Sequence, residues 1–195
     1  MLIVEAVEAE VESELGGGLL ACPACAGVLG PWGFARRRTL RLRSGALRWM
    51  RPRRARCRGC ARTHVLLPDL CLLRRQYEVA LVGAAIEAKA RGCGYRRIAR
   101  DLAVPAYTVR AWLRRFTGRA EAIRAHFVRW AFALDPEFAP IAPAASAFQD
   151  AFEAIGLAVR AWVLRFGRRA LWPLVAALSG GVLLATRAVL FPPVR

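Results

Sequence analysis

The sequence is poor in several residues on which catalysis and secretion depend. It holds one lysine, Lys89, and two histidines, His64 and His126. His126 stands isolated, so no Ser/His/Asp arrangement can be assembled around it. There is no P-loop and no Gly-rich dinucleotide motif. The nine acids beyond residue 66 are scattered, and none lies in a strand-rich region long enough to clamp the two ions of metal-dependent strand transfer. Room for a serine-recombinase catalytic domain before Cys22 is also lacking. These absences point to a binding protein rather than an enzyme. The apolar run near the C-terminus, Ala170 to Thr186, holds no charge over 17 residues. That is short of the ~20 a membrane span needs, and Pro173 and Ser179-Gly180-Gly181 divide it. The first residues are acidic, unlike the basic start of a secretory signal. A cytoplasmic setting follows, where six cysteines bind metal more readily than they form disulfides.

What the chain has in excess is arginine. Of its 31 Lys and Arg, 30 are Arg; against 14 acids this gives a net charge of +17. Apolar residues make up 56 %, too many for a wholly disordered basic tail. A charge of this size calls for an acidic partner, nucleic acid first and an anionic membrane surface second. Its distribution is uneven. Glu5, Glu8, Glu10, Glu12 and Glu14 crowd the beginning, and residues 1–18, ending in Gly16-Gly17-Gly18, are expected to be an acidic flexible arm. Arg36 to Arg62 carries twelve Arg and no acid, and Arg91 to Arg129 carries ten Arg against Asp101 and Glu121.

Within the first Arg-rich stretch lie two C-x2-C pairs, Cys22/Cys25 and Cys57/Cys60, separated by 31 residues. Each pair sets two thiolates on one tight turn, and two such turns supply the four tetrahedral sulfurs that structural Zn2+ prefers. Gly27 and Gly59 suit the turns. Thr39 to Arg43 alternates polar and apolar as a half-buried strand does. Leu47 to Arg56 supplies a return strand, interrupted at Pro52. Residues 19–66 therefore read as a small β zinc ribbon, with Arg56, Arg58 and Arg62 offsetting the −2 charge of a tetrathiolate zinc. His64, four residues after Cys60, is an alternative ligand. Cys71 and Cys93 have no partner at metal spacing and read as small buried residues.

Gln76 to Arg91 has helical composition and ends at Gly92-Cys93-Gly94. From Tyr95 to Arg114, the apolar residues Ile98, Leu102, Val104, Val109, Trp112 and Leu113 fall where two short helices would bury one face, with Ala103-Val104-Pro105 as the turn. This stretch resembles the helix-turn-helix of bacterial transposases, resolvases and repressors. Its small residue, turn and branched apolar residue are Ala99, Ala103 and Val109. Ala103 occupies the position where glycine is favoured, and Pro105 that of the usual polar N-cap. The resemblance implies a second helix from about Ala106 to Phe116 in the DNA major groove. Tyr107, Arg110 and Arg114 would face bases, Thr108 the nearby backbone, and Arg96, Arg97, Arg100 and Arg115 the phosphates.

The wider order is a CPxC knuckle, a basic strand region, a second knuckle with Arg62-Thr63-His64, Leu66-Leu67-Pro68 and this helix pair. It is similar to an uncharacterised bacterial family, described as helix-turn-helix or transposase-like, over about residues 20–118. That similarity implies DNA binding and no reaction.

The expected architecture is mainly α with a small N-terminal β ribbon. A helix-turn-helix domain over 73–118 is followed by a helical C-terminal module over 119–195, with a linker near 135–143. Phe148 to Arg169 is amphipathic, and Trp130, Trp162 and Trp172 serve as core or interface residues. The expected partner is double-stranded DNA, with the C-terminal module packed on itself or on a second subunit as a homodimer. The function expected is that of a transcriptional regulator or a mobile-element DNA-recognition protein. The alternative is a membrane-associated protein anchored by the apolar C-terminal stretch, with Arg-rich faces on lipid. RNA binding through the ribbon is a further option.

Overall fold

The computed structural model describes residues 1–137, 146–186 and 189–194. Among the described residues, six strands and one short helix occupy about the first third and six helices the rest. The strands are β1 (Leu2–Val4), β2 (Leu29–Phe34), β3 (Arg38–Arg41), β4 (Leu47–Met50), β5 (Arg53–Cys57) and β6 (Thr63–Pro68). The helices are α1 (Glu8–Gly16), α2 (Val79–Ala90), α3 (Tyr95–Asp101), α4 (Ala106–Thr117), α5 (Ala120–Leu134), α6 (Ala147–Phe166) and α7 (Leu171–Leu178).

One sheet has the order β1-β6-β5-β2, with β1 parallel to β6 and the other pairs antiparallel. The other is the β3–β4 hairpin. The expected alternation appears there: Leu40 is fully buried while Arg41 faces solvent. Pro52 does more than interrupt the return strand. Lacking an N–H, it separates β4 from β5, and the two strands enter different sheets.

The first residues are not a flexible arm. Leu2, Ile3 and Val4 pair with Leu66, Leu67 and Pro68. Val11 and Leu15, one helical turn apart, bury themselves against Leu29, Ala55 and Leu66. The glutamates dominate the composition, but they need only the outer face of α1; one strand and two apolar residues suffice to fix the segment.

The helices share one core, to which α2, α3, α4, α5, α6 and α7 all contribute. Residues of the 73–118 stretch and of the C-terminal stretch therefore interlock. Helix α2 runs through the centre, with Val79, Leu81, Val82, Gly83, Ala84, Ala85 and Ile86 all buried. At Gly83 a Cβ would fall 2.0 Å from the Trp172 ring, so α7 approaches α2 only because that position is glycine. Trp172 Nε1 donates to Glu87 at 2.7 Å. Helices α5 and α6 meet end to end and start to start: Arg165 donates to the Leu134 carbonyl, and Phe148 packs on Phe116 just ahead of α5.

Pro173 does not divide the apolar stretch, because it lies in the first turn of α7 where no helical N–H is lost. The helix ends instead at Ser179, followed by Gly180 and Gly181 in left-handed backbone. Buried Arg119 donates to the carbonyls of Ala185, Thr186 and Val189 and fastens the segment that follows. Most of the linker expected over 135–143 lies outside the described residues. Among the described residues no helix is long and apolar enough to cross a membrane.

Candidate metal centre and nucleic-acid interface

The two cysteine turns are built alike. In the first, the Ala26 amide donates to the Cys22 carbonyl and the Cys22 amide to that of Gly27. In the second, the Ala61 amide donates to the Cys57 carbonyl and the Cys57 amide to that of Arg62. Both place an alanine in left-handed backbone directly after the second cysteine, with φ of 58° at Ala26 and at Ala61. The strained positions are thus these alanines, and Gly27 and Gly59 have another purpose. A Cβ on Gly27 would stand 3.1 Å from Cys57 Sγ, so Gly27 leaves space for sulfur.

Strands β2 and β5 pair Leu29 with Cys57 and so bring the turns together. The four sulfurs all lie within 4.8 Å of one another. Cys22 and Cys60 Sγ are 3.7 Å apart, Cys25 and Cys57 Sγ 3.5 Å. A tetrahedron with metal–sulfur bonds of about 2.3 Å has edges of about 3.8 Å, so the donor set fits a tetrahedral ion. Backbone amides of Gly59 and Cys60 point at Cys57 Sγ from 3.3 and 3.4 Å. The Cys60 amide is the main reason the Cys57 thiol is lowered to about 6. At Cys25 the Gly27 amide favours the thiolate, but hydrogen bonds that its thiol donates to Cys60 and Cys57 hold the proton on, and this thiol rises to about 11. Four clustered sulfurs cannot all ionise unless a cation joins them, and the divergence of this pair expresses that.

His64 is buried, its Nε2 3.4 Å from Cys22 Sγ and its Nδ1 3.2 Å from the Met1 amine. It caps one sulfur from outside the four. Arg56, Arg58 and Arg62 are exposed around the cluster. Cys71 is buried, its thiol pushed up to about 12 by burial, and it lies beside Met50 rather than the cluster.

The second candidate region is the α3–α4 pair. Ala103 has φ 50°, the left-handed turn for which glycine would be the easier residue. Its neighbours close the turn: the Val104 amide donates to Ala99 and the Thr108 amide to Pro105, which caps α4 without a side-chain acceptor. Ala99, Ile98, Val104, Val109, Trp112, Leu113 and Phe116 are buried.

On the opposite face Tyr107, Arg110 and Arg114 line one open hollow with Tyr95. Tyr107 is 76 % exposed. Arg110 and Arg96 lie over the Tyr95 ring, 5.9 and 5.7 Å from its centroid. Arg97 and Arg100 are exposed and both approach Asp101 at 3.7 Å. Thr108 and Arg115 are half-buried, and Arg115 faces Arg75, whose guanidinium is pulled down by burial first and by Arg115 second. Arg115 therefore stands apart from the Tyr107–Arg110–Arg114 group.

A third group escaped the motif-based reading. Trp32, Phe34 and Trp49 stand exposed on the sheets. Arg56 lies 4.7 Å from the Trp32 centroid, Arg53 and Arg51 4.5 and 5.1 Å from that of Phe34, and Arg37 5.4 Å from that of Trp49. The available signal was the interleaving of aromatics with Arg between residues 32 and 56, which a count of cysteines and charges passes over.

A paired-cysteine centre joined to a compact helical core is the class of arrangement on view. A family model described as a domain of unknown function, DUF6431, matches residues 22–112, from the first cysteine into α4. No curated protein and no solved structure matches the chain.

Proposed function

We propose that this is a zinc-containing DNA-binding protein in which a zinc ribbon supports a helix-turn-helix. In this reading Cys22, Cys25, Cys57 and Cys60 hold a structural Zn2+, which supplies cross-linking rather than chemistry, and α4 enters the major groove of duplex DNA. The carrying observation is α4 itself: Val109, Trp112, Leu113 and Phe116 are buried, while Tyr107, Arg110 and Arg114 share one open face. Left-handed Ala103 ahead of α4 supports the same reading. Arg110 and Arg114 suit bidentate contact with guanine O6 and N7; Arg96, Arg97 and Arg100 suit phosphate, which positions without specifying. The role is DNA recognition in the cytoplasm, for transcription regulation or a mobile element, without catalysis.

Selection from a random duplex pool by zinc-loaded protein tests this. A defined site should emerge, and a symmetric one would report a dimer. Affinity should fall steeply with salt as counterions are released. Arg110→Ala should relax the sequence preference by about tenfold or more, and Arg97→Ala should weaken all sequences equally. A salt-independent affinity, or an Arg110→Ala protein of unchanged preference, refutes the reading.

A further inference from the structure

The sheet unit exposes three large aromatic rings where a folded core would normally hide them. Trp32 and Phe34 are about half exposed and Trp49 is 63 % exposed. Trp32 and Trp49 each carry one guanidinium over the ring and Phe34 carries two, and all three residues keep much of their surface in solvent. Phe34, Arg36, Arg37 and Arg51 line one open hollow, and Arg37 joins it to Trp49. Trp32 borders a separate hollow with Arg56 and Arg58 on the other side of the sheet, because β2 shifts register between Pro31 and Phe34. Glu12 of α1 reaches the Phe34 side, where it takes a bidentate pair of bonds from Arg53, one of them 2.9 Å. The stretch Arg36 to Arg62 contributes no acid at all.

We infer that the face around Phe34 and Trp49 is a binding site for single-stranded DNA, its unpaired bases stacking on these two rings and its phosphates lying along Arg36, Arg37 and Arg51. Charge complementarity selects a polyanion, and the rings select which one. A duplex keeps its base faces inside the stack, so exposed flat rings have nothing to stack on; unpaired bases offer a π-face to each ring. An acidic peptide would satisfy the guanidinium groups and leave the rings in water. The choice of DNA over RNA rests on the duplex-DNA reading of α4. The hairpin carrying Trp49 is tied to that helix: Arg41 bridges to Tyr77, whose ring meets Trp112 of α4 edge-on at 5.0 Å.

Fluorescence anisotropy of the full-length, zinc-loaded protein with a labelled thymidine oligonucleotide tests the site, with a duplex and a uridine oligonucleotide measured in parallel. The wild type should bind the thymidine strand. Phe34→Ala with Trp49→Ala should weaken that binding at least about tenfold, with duplex affinity and zinc content unchanged. Phe34→Tyr with Trp49→Phe should keep most of it. Arg36→Glu with Arg51→Glu, both in solvent, should weaken it too. The inference is overturned if the wild type ignores the thymidine strand, if the alanine pair binds it normally, if duplex affinity falls in step, or if uridine is bound more tightly. Failure of the α4 reading shows separately, as a duplex affinity indifferent to Arg110→Ala.

Discussion

The cysteine-bearing sheet and the helical bundle solve the problem of stability in opposite ways. The bundle buries large side chains from six helices in a single core, among them Phe116, Phe127, Ile86, Ile98 and Trp112. The sheet unit buries two short sets, one of Val4, Val11, Leu15, Leu29, Ala55 and Leu66 with Cys22 and Cys57 themselves, the other of Leu40, Met50, Leu67, Leu70 and Cys71. A unit this small has little apolar area to set against chain entropy. Where packing is thin, the proposed metal would carry more of the fold; where packing is dense, shape carries it.

That contrast breaks most visibly when the metal is withdrawn. Chelation, or Cys57→Ala, should unfold the sheet unit while most of the helical far-ultraviolet circular dichroism survives, because in the proposed zinc-bound state metal binding would supply folding free energy there. Amide spectra would show strand resonances collapsing and α2 resonances persisting; uniform loss across both regions would mean the two are one cooperative unit. The bundle should yield to a change of shape. Gly83→Ala places a methyl 2.0 Å from the Trp172 ring, and urea unfolding should show a loss of about 3 kcal/mol with bound zinc retained.

The smallest effect concerns His126, which is fully buried in the bundle between Phe127 and Phe191. Its Nε2 meets the Leu178 carbonyl at 2.9 Å, while Nδ1 has no partner among the described residues. Burial, first, lowers it to about 4 from 6.5. The unfolded chain thus takes up its proton first as pH falls. The stability His126 provides is complete above about 6.5 and is lost between 6.5 and 4, an effect on the order of 2 kcal/mol. Urea titrations of the metal-free protein, followed by helical signal, would isolate it from the cysteines; His126→Phe should flatten the profile.

Much of this was legible in the residues. The cysteine spacing located the cluster, the Thr39–Arg43 alternation located β3, and Pro52 separated β4 from β5. Ala99, Ala103 and Val109 marked the elements around the α3–α4 turn. Other features depend on partners distant in sequence. The burial of α1 rests on Val11 and Leu15 alone, beneath five glutamates. The left-handed alanines are invisible to a search for glycine, because surrounding hydrogen bonds override the local preference at Ala26 and Ala61. Nor does any local pattern reveal that α7 reaches α2 through Gly83, 89 residues before Trp172. The exposure of Trp32, Phe34 and Trp49 is likewise a tertiary fact, since the same residues in another fold would form its core.

The 31 residues between the two cysteine turns have a consequence for how this architecture varies. Lengthening a closed loop from the 15–20 residues common between such turns to this span is roughly one doubling, which costs only about 0.6 kcal/mol of closure entropy. The β3–β4 hairpin sits inside that loop as a two-stranded sheet of its own, anchored by Leu40 and Met50 beside Leu67, Leu70 and Cys71 and by the bridge from Arg41 to Tyr77. Its exposed tip, Ser44 to Ala46, is therefore the interchangeable part: it can be shortened, extended or given a new charge pattern while the knuckles on either side keep their registration.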